Sequence, residues 1–175
     1  MTGVQTCALP ILLLKQGKYA EAEAQCREAL RLAPMHLSAM FCLATALYKQ
    51  GRLDEAADYY QRILDLKPDL YTPRRYLGNI FVAQGKTDQA IAQLLLALKI
   101  RPQDAETHVL LGVELLEKNR IDEGAAQFLE AARLQPTNAI ANYQLALIHQ
   151  GRKETSAAID CYRNALKAQI GRAHV

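Results

Sequence analysis

Apolar residues in this chain recur at i, i+3, i+4 and i+7, the spacing that lines one face of a helix. Met40, Leu43, Ala44 and Leu47 do so between about His36 and Gln50, and Ala56, Tyr60, Ile63 and Leu64 do so again before Pro68. Gly51 separates the two stretches and can adopt the left-handed backbone that stops a helix, so a pair of helices joined by a tight turn is predicted. Asp54 and Glu55 then fall at the start of the second helix, where carboxylates suit the positive end of its dipole. The pattern returns with Leu77, Gly78 and Phe81, then Ala90, Leu94, Ala97 and Leu98. It returns once more with Leu111, Gly112 and Leu115, then Phe128, Ala131 and Leu134.

The recurrence has a fixed period. Pro34, Pro68, Pro102 and Pro136 are evenly spaced, and Gly17, Gly51 and Gly85 keep the same beat, with Asn119 at the fourth turn. Self-similarity at such a period, about 34 residues, marks a stacked array of helix pairs. Ala44, Gly78, Gly112 and Ala146 occupy one slot midway along each first helix. Small residues are needed there for a partner helix to approach to about 8–10 Å. Gly124 lies within a predicted helix, where glycine costs about 1 kcal/mol relative to alanine. In the fifth unit Gly151 comes two residues early, which predicts an altered turn before Thr155. The proline due at 170 is replaced by Ile170.

The runs QGKYAEAEAQCREALRLAP and QGRLDEAADYYQRILDLKP carry glycine, a small residue, Ala-Leu or an aromatic, and proline in phase. They resemble the tetratricopeptide repeat (TPR) family, and the resemblance covers roughly residues 12–169. It implies an all-α fold, a right-handed α-solenoid of stacked antiparallel helix pairs, with one partial and four near-complete repeats. The tryptophan usual near the start of the family's first helix is here Met40, Arg74, His108 and Asn142.

Both ends break the pattern. MTGVQTCALPI places Pro10 inside a predicted helix, and IGRAHV removes the last proline. IGRAHV back-translates to ATC GGA AGA GCA CAC GTC, whose reverse complement lies within a back-translation of MTGVQTCALPI. Two chain ends readable as complementary strands of one DNA resemble a translated sequencing adapter. Residues 1–11 and 170–175 are therefore expected to be non-native, and residues 12–169 an internal fragment of a longer reading frame. On that reading only Leu12–Gln16 of the first helix is native, and the helix Tyr19–Leu32 is expected to lack most of its partner.

Composition removes several function classes. The formal charge of +3, about +2 without Arg172, is too small and dispersed to argue for nucleic acid or an anionic membrane. No stretch approaches the 18 or so apolar residues of a membrane span. Of the four cysteines, Cys7 lies in the adapter-like end, Cys26 stands in a core row with Tyr60, Leu94, Phe128 and Tyr162, and none has Cys-x-x-Cys spacing. A disulfide framework or zinc site is not expected. His36, His108 and His149 are well separated, and His108 reads as a partly buried structural residue. No phosphate loop, nucleophile elbow or metal-binding helix motif is present, so no catalytic residues, metal or cofactor are assigned.

What remains is a face of the first helices. In the resembled family these line the concave side where peptides dock. The residues expected there are Phe41, Thr45 and Tyr48, then Arg75 and Asn79, then Val109, Val113 and Leu116, then Tyr143 and Leu147. They lie off the face that packs within each pair. Arg75 and Asn79 resemble half of the carboxylate clamp of chaperone-tail-binding members, but the matching places elsewhere hold Phe41, Leu110 and Gln144. The expectation is a non-catalytic scaffold for a protein or peptide with apolar anchors and an acidic group near Arg75. The resemblance leaves one alternative, the repeat region of a larger bacterial enzyme such as a membrane glycosyltransferase. The helix from Thr155 ends the array with Ala158, Ile159, Tyr162 and Leu166 uncovered, so self-association through that end is also expected.

Overall fold

Helices account for the regular structure of a computed structural model that describes residues 5–173, with side-chain surroundings described for residues 8–167. In order they are α1 (Gln5–Lys15), α2 (Tyr19–Leu32), α3 (Leu37–Lys49), α4 (Leu53–Leu66), α5 (Tyr71–Ala83), α6 (Thr87–Ile100), α7 (Ala105–Glu117), α8 (Ile121–Leu134), α9 (Ala139–Gly151) and α10 (Thr155–Ala173). The fold class is the all-α solenoid of stacked antiparallel helix pairs. The chain divides into two compact units, residues 1–80 and 81–175. In the first, α1 packs on α2 and α3, α2 on α3, and α3 on α4. In the second, each of α6 to α9 packs on the helix that follows it.

One turn joins the two helices of every pair. Gly17, Gly51 and Gly85 have φ of 74°, 78° and 67°. In the second pair the Gly51 N–H donates to Tyr48 O at 3.0 Å and the Arg52 N–H to Leu47 O at 3.0 Å. These are the paired bonds of a Schellman stop. Asn119 takes the fourth turn with φ 57°, as its place in the period predicts. The fifth turn corrects the sequence reading. Gly151 is the last residue of α9, and Lys153, one full period after Asn119, takes φ 62°. Its N–H donates to Gln150 O and that of Glu154 to His149 O, so the turn is kept with a non-glycine residue in its left-handed slot.

The slot that lacks tryptophan has a different use. Arg74 donates to Pro68 O through Nη2 at 2.8 Å and Nε at 3.1 Å. His108 Nε2 donates to Pro102 O at 2.9 Å, and Asn142 Nδ2 to Pro136 O at 3.0 Å. Each polar residue thus donates to the proline carbonyl of the turn before its helix. The other His108 nitrogen meets the Gln127 side-chain amide at 2.7 Å, so this buried histidine is structural. At the following starts, Asp104 and Asn138 accept from the N–H groups of Thr107 and Ala141 and cap α7 and α9.

Pro10 does not break the first helix. It lies in the second turn of α1, buried, and forgoes one backbone bond. Leu13 of the same helix is buried with Ala22 and Ala46, so α2 has a partner beginning at Gln5, contrary to expectation. Of the two adapter-like ends, residues 1–4 and 174–175 lie outside the described residues. With no proline at 170, α10 continues to Ala173.

Candidate functional site

The expected residues of the first unit converge on an aromatic cluster. Tyr60, fully buried on α4, stacks on Tyr76 of α5 with centroids 5.0 Å apart and planes 7° from parallel. Phe41 meets Tyr60 edge-on at 5.8 Å, and Tyr48 meets Tyr76 edge-on at 5.3 Å. Thr45 donates its hydroxyl hydrogen to Phe41 O at 2.8 Å and accepts from the Tyr60 hydroxyl at 3.1 Å. Burial pushes the Tyr60 phenol well above its ordinary range. Phe41, Thr45 and Tyr48 are therefore half-buried members of a rigid ledge.

Arg75 and Asn79 stand one turn apart on α5. The Arg75 guanidinium carbon lies 5.7 Å from the Tyr76 ring centroid, a cation–π distance. Asn79 Oδ1 is buried and has no hydrogen-bond partner. A buried acceptor without a donor costs roughly 1–3 kcal/mol. Sequence reasoning missed Tyr76, the hub of this cluster. Its counterparts in the neighbouring repeats are Cys42, Leu110 and Gln144, so no aromatic row announced it. It also missed a meeting of thiols: a hydrogen bond from Cys26 holds the Cys42 thiol below its ordinary range against the opposing effect of burial.

In the second unit the expected residues separate. Val109 is buried in the core with Phe128, Ala131 and Leu145, so it is not surface. Its aliphatic side chain collapses onto Phe128, contrary to its expected place off the packing face. Val113 and Leu116 are half-buried against that same core. Leu116 and Leu147 line one depression of about 700 Å³ with Gln144 and Ile148. Tyr143 lies elsewhere, edge-on to Tyr162 at 6.0 Å, in an apolar pocket of about 500 Å³ bounded by Ala139, Ile140, Ala165 and Leu166.

Electrostatics tie helix pairs together on other surfaces. Glu23 of α2 accepts from Arg27, from Arg52 Nη1 at 2.8 Å and from Gln50 Nε2 at 2.9 Å. Burial would raise its carboxyl, but these donors together hold it below the usual carboxylate range. Lys118 pairs with Asp88 and Arg152 with Asp122 in the second unit. Among the described residues no cluster of histidine, cysteine and acidic side chains could hold a metal ion, and no helix is long and apolar enough to cross a membrane.

Comparison with known families places this arrangement. The tetratricopeptide repeat model matches residues 9–71 and 109–173, and a TPR repeat model matches residues 78–116. The chain belongs to the tetratricopeptide repeat family. Among solved structures it resembles a crystal structure of MamA, at 16% identity over 95% of this chain and 97% of that one, with a TM-score of 0.86. MamA from Desulfovibrio magneticus RS-1 gives 17%, 95%, 94% and 0.86 in the same terms. YrrB, described as a TPR protein with an unusual peptide-binding site, gives 20%, 96%, 87% and 0.81. At these identities the likeness is one of fold. No curated protein matches the chain.

Proposed function

We propose that this chain is a non-catalytic interaction scaffold that holds an extended peptide against the first-helix face of its first unit. The observation that carries this reading is the Arg75 guanidinium over the Tyr76 ring, next to the half-buried Phe41 and Tyr48 and one helical turn from Asn79. An amide such as that of Asn79 is a side chain that can pair with a peptide backbone. An extended segment has free N–H groups, whereas those in the interior of a helix are spent on its own carbonyls. Phe41 and Tyr48 offer apolar contact to a Leu-like anchor, and Arg75 favours an acidic group beside it. A peptide-binding site is also described for YrrB, which shares the fold. In the second unit, the Leu116–Leu147 depression is a candidate for a second anchor.

The test is selection from a displayed library of unstructured peptides, followed by titration of the enriched sequences. Acidic-flanked, Leu-containing peptides are expected, with Arg75→Glu weakening them at least about tenfold, or about 1.4 kcal/mol. Asn79→Ala is expected to weaken them while raising stability, because it removes an unsatisfied buried acceptor. Enriched peptides that bind both variants as tightly as the parent would overturn the reading. So would affinity that falls only in step with melting temperature.

A further inference from the structure

Phe41 and Tyr48 stand seven residues apart on α3, which puts them on one face of the helix, within about 20° of each other. At about 1.5 Å of rise per residue they are about 10 Å apart along its axis. Both meet the same ring of α5. Phe41 lies edge-on to Tyr76 at 6.2 Å, and Tyr48 lies edge-on to it at 5.3 Å. Tyr76 is backed in turn by the buried Tyr60, with the planes 7° from parallel. The three half-buried rings therefore make a short, firmly backed row whose two ends lie about 10 Å apart.

That spacing discriminates among ligand conformations. In a β-strand, side chains on one face recur about 6.8 Å and then about 13.6 Å apart, and neither matches. A strand also needs a neighbouring backbone to pair with, and the groups inside α3 and α5 are spent on their own helices. In polyproline II, side chains three residues apart share a face and lie about 9.3 Å apart. A helical ligand could bridge the same distance with residues about seven apart, but its interior carbonyls are already bonded.

The polar groups of the row ask for free carbonyls. The Thr45 and Tyr60 hydroxyls bond each other, whereas those of Tyr48 and Tyr76 make no hydrogen bond among the described residues. A phenol hydroxyl is a donor, and a proline-rich segment offers carbonyls with few N–H groups of its own to satisfy. Cations stand over the same rings. The Arg75 guanidinium carbon lies 5.7 Å from the Tyr76 centroid, and Lys49 Nζ lies 6.0 Å from that of Tyr48. They complement acidic residues at the Tyr48 end of a bound segment.

We propose that the partner of this face is a proline-rich segment in polyproline II form. Apolar residues three apart sit beside Phe41 and Tyr48, carbonyls face the two phenols, and acidic residues follow toward Lys49. The proposal rests on the peptide-scaffold reading above and narrows it to one conformation. Proline sets that conformation before binding, so less chain entropy is lost when the segment docks.

The experiment is a set of fluorescence-anisotropy titrations of the full chain with three labelled, end-blocked peptides. The first is Pro-Leu-Pro-Pro-Leu-Pro-Asp-Asp. The second replaces every proline by alanine, and the third, Pro-Leu-Pro-Leu-Pro-Pro-Asp-Asp, sets the leucines two apart. The first is expected to bind tightest. The alanine peptide should bind about tenfold more weakly, having lost its pre-ordering, and the third about tenfold more weakly, having lost one anchor. Tyr48→Phe and Tyr76→Phe keep the rings and should each weaken the first peptide about threefold at an unchanged melting temperature. An alanine peptide that binds as tightly as the first would overturn the proposal. So would a third peptide that binds as tightly, Tyr→Phe variants that bind like the parent, or no binding by any of the three. If the alanine peptide binds as well as the first and Arg75→Glu weakens both, the scaffold reading stands and only the polyproline II form falls.

Discussion

Gly112→Ala isolates the steric demand on which the second unit is built. A Cβ at this position would lie 2.7 Å from Phe128 Cε1 and 2.8 Å from Cζ, where ordinary contact begins near 3.4 Å. The ring cannot swing away, because Phe128 is fully buried among Val109, Ala125, Ala131 and Leu145. Overpacking of an enclosed site belongs at the upper end of the usual range, about 2–3 kcal/mol. Against this, alanine improves helix propensity by about 1 kcal/mol. The expected net loss is about 1–2 kcal/mol, which lowers the melting temperature by about 2–8 °C for a chain of this size. Thermal and urea unfolding followed by circular dichroism measure it. Phe128→Leu in the Gly112→Ala background should recover part of the loss, with a coupling of about 0.5 kcal/mol or more between the two sites. Gly124→Ala is the contrast. Its new Cβ meets the end of Leu116 at 3.0 Å, a side chain that can move, and the Gly112 carbonyl at 3.1 Å. The propensity gain and the squeeze should nearly cancel, within about 0.5 kcal/mol. A Gly112→Ala variant as stable as the parent would refute the steric account of the small slot.

Lys153→Gly should stabilise by about 1 kcal/mol in urea unfolding, because only glycine takes φ 62° without strain; a loss of stability would contradict the left-handed assignment. Asn142→Leu should cost about 1–2 kcal/mol although it adds apolar surface, since the Pro136 carbonyl loses its side-chain donor; equal stability would show that carbonyl satisfied otherwise. Glu23→Gln should destabilise the chain at neutral pH, and the difference should vanish in acid. The folded-state pKa of Glu23 lies below its unfolded value of about 4.3, so its contribution is present above that value and is lost as pH falls through the folded pKa. A difference that persists unchanged in acid would refute the ion-pair role. Leu147→Asp should weaken any ligand of the second depression with little loss of stability. Leu116→Asp would damage the core it packs against, so it cannot separate binding from folding.

The helix boundaries were legible because a single period carries prolines, glycines and small residues together, so several weak signals agreed on each turn. The fifth turn was misread because glycine was taken as the marker. The Schellman bonds are made by backbone groups, and the left-handed residue sits where the helix length puts it, whether that residue is Gly51 or Lys153. The sequence showed polar residues in the tryptophan slot but not what they bond to. Their partners are backbone carbonyls of the preceding proline turn, which carry no sequence signature. The same holds for Pro10, whose one lost hydrogen bond did not prevent Leu13 from anchoring α1.

The candidate site was legible as a set of positions and not as a surface, and the repeat itself explains why. Ala44, Gly78, Gly112 and Ala146 share one slot that admits only the smallest side chains, so packing dictates it. Phe41, Arg75, Val109 and Tyr143 share another slot that admits an aromatic, a cation, an aliphatic and a phenol. A slot so permissive is not specified by the fold. Permissiveness also means that each occupant makes its own environment. Val109 disappears into the core over Phe128, Arg75 lies over the Tyr76 ring, Phe41 joins the ring cluster, and Tyr143 stands open beside Tyr162. Position within the period therefore says which residues are free to bind. Only the neighbours in space say which of them stay open, as Tyr143 does and Val109 does not.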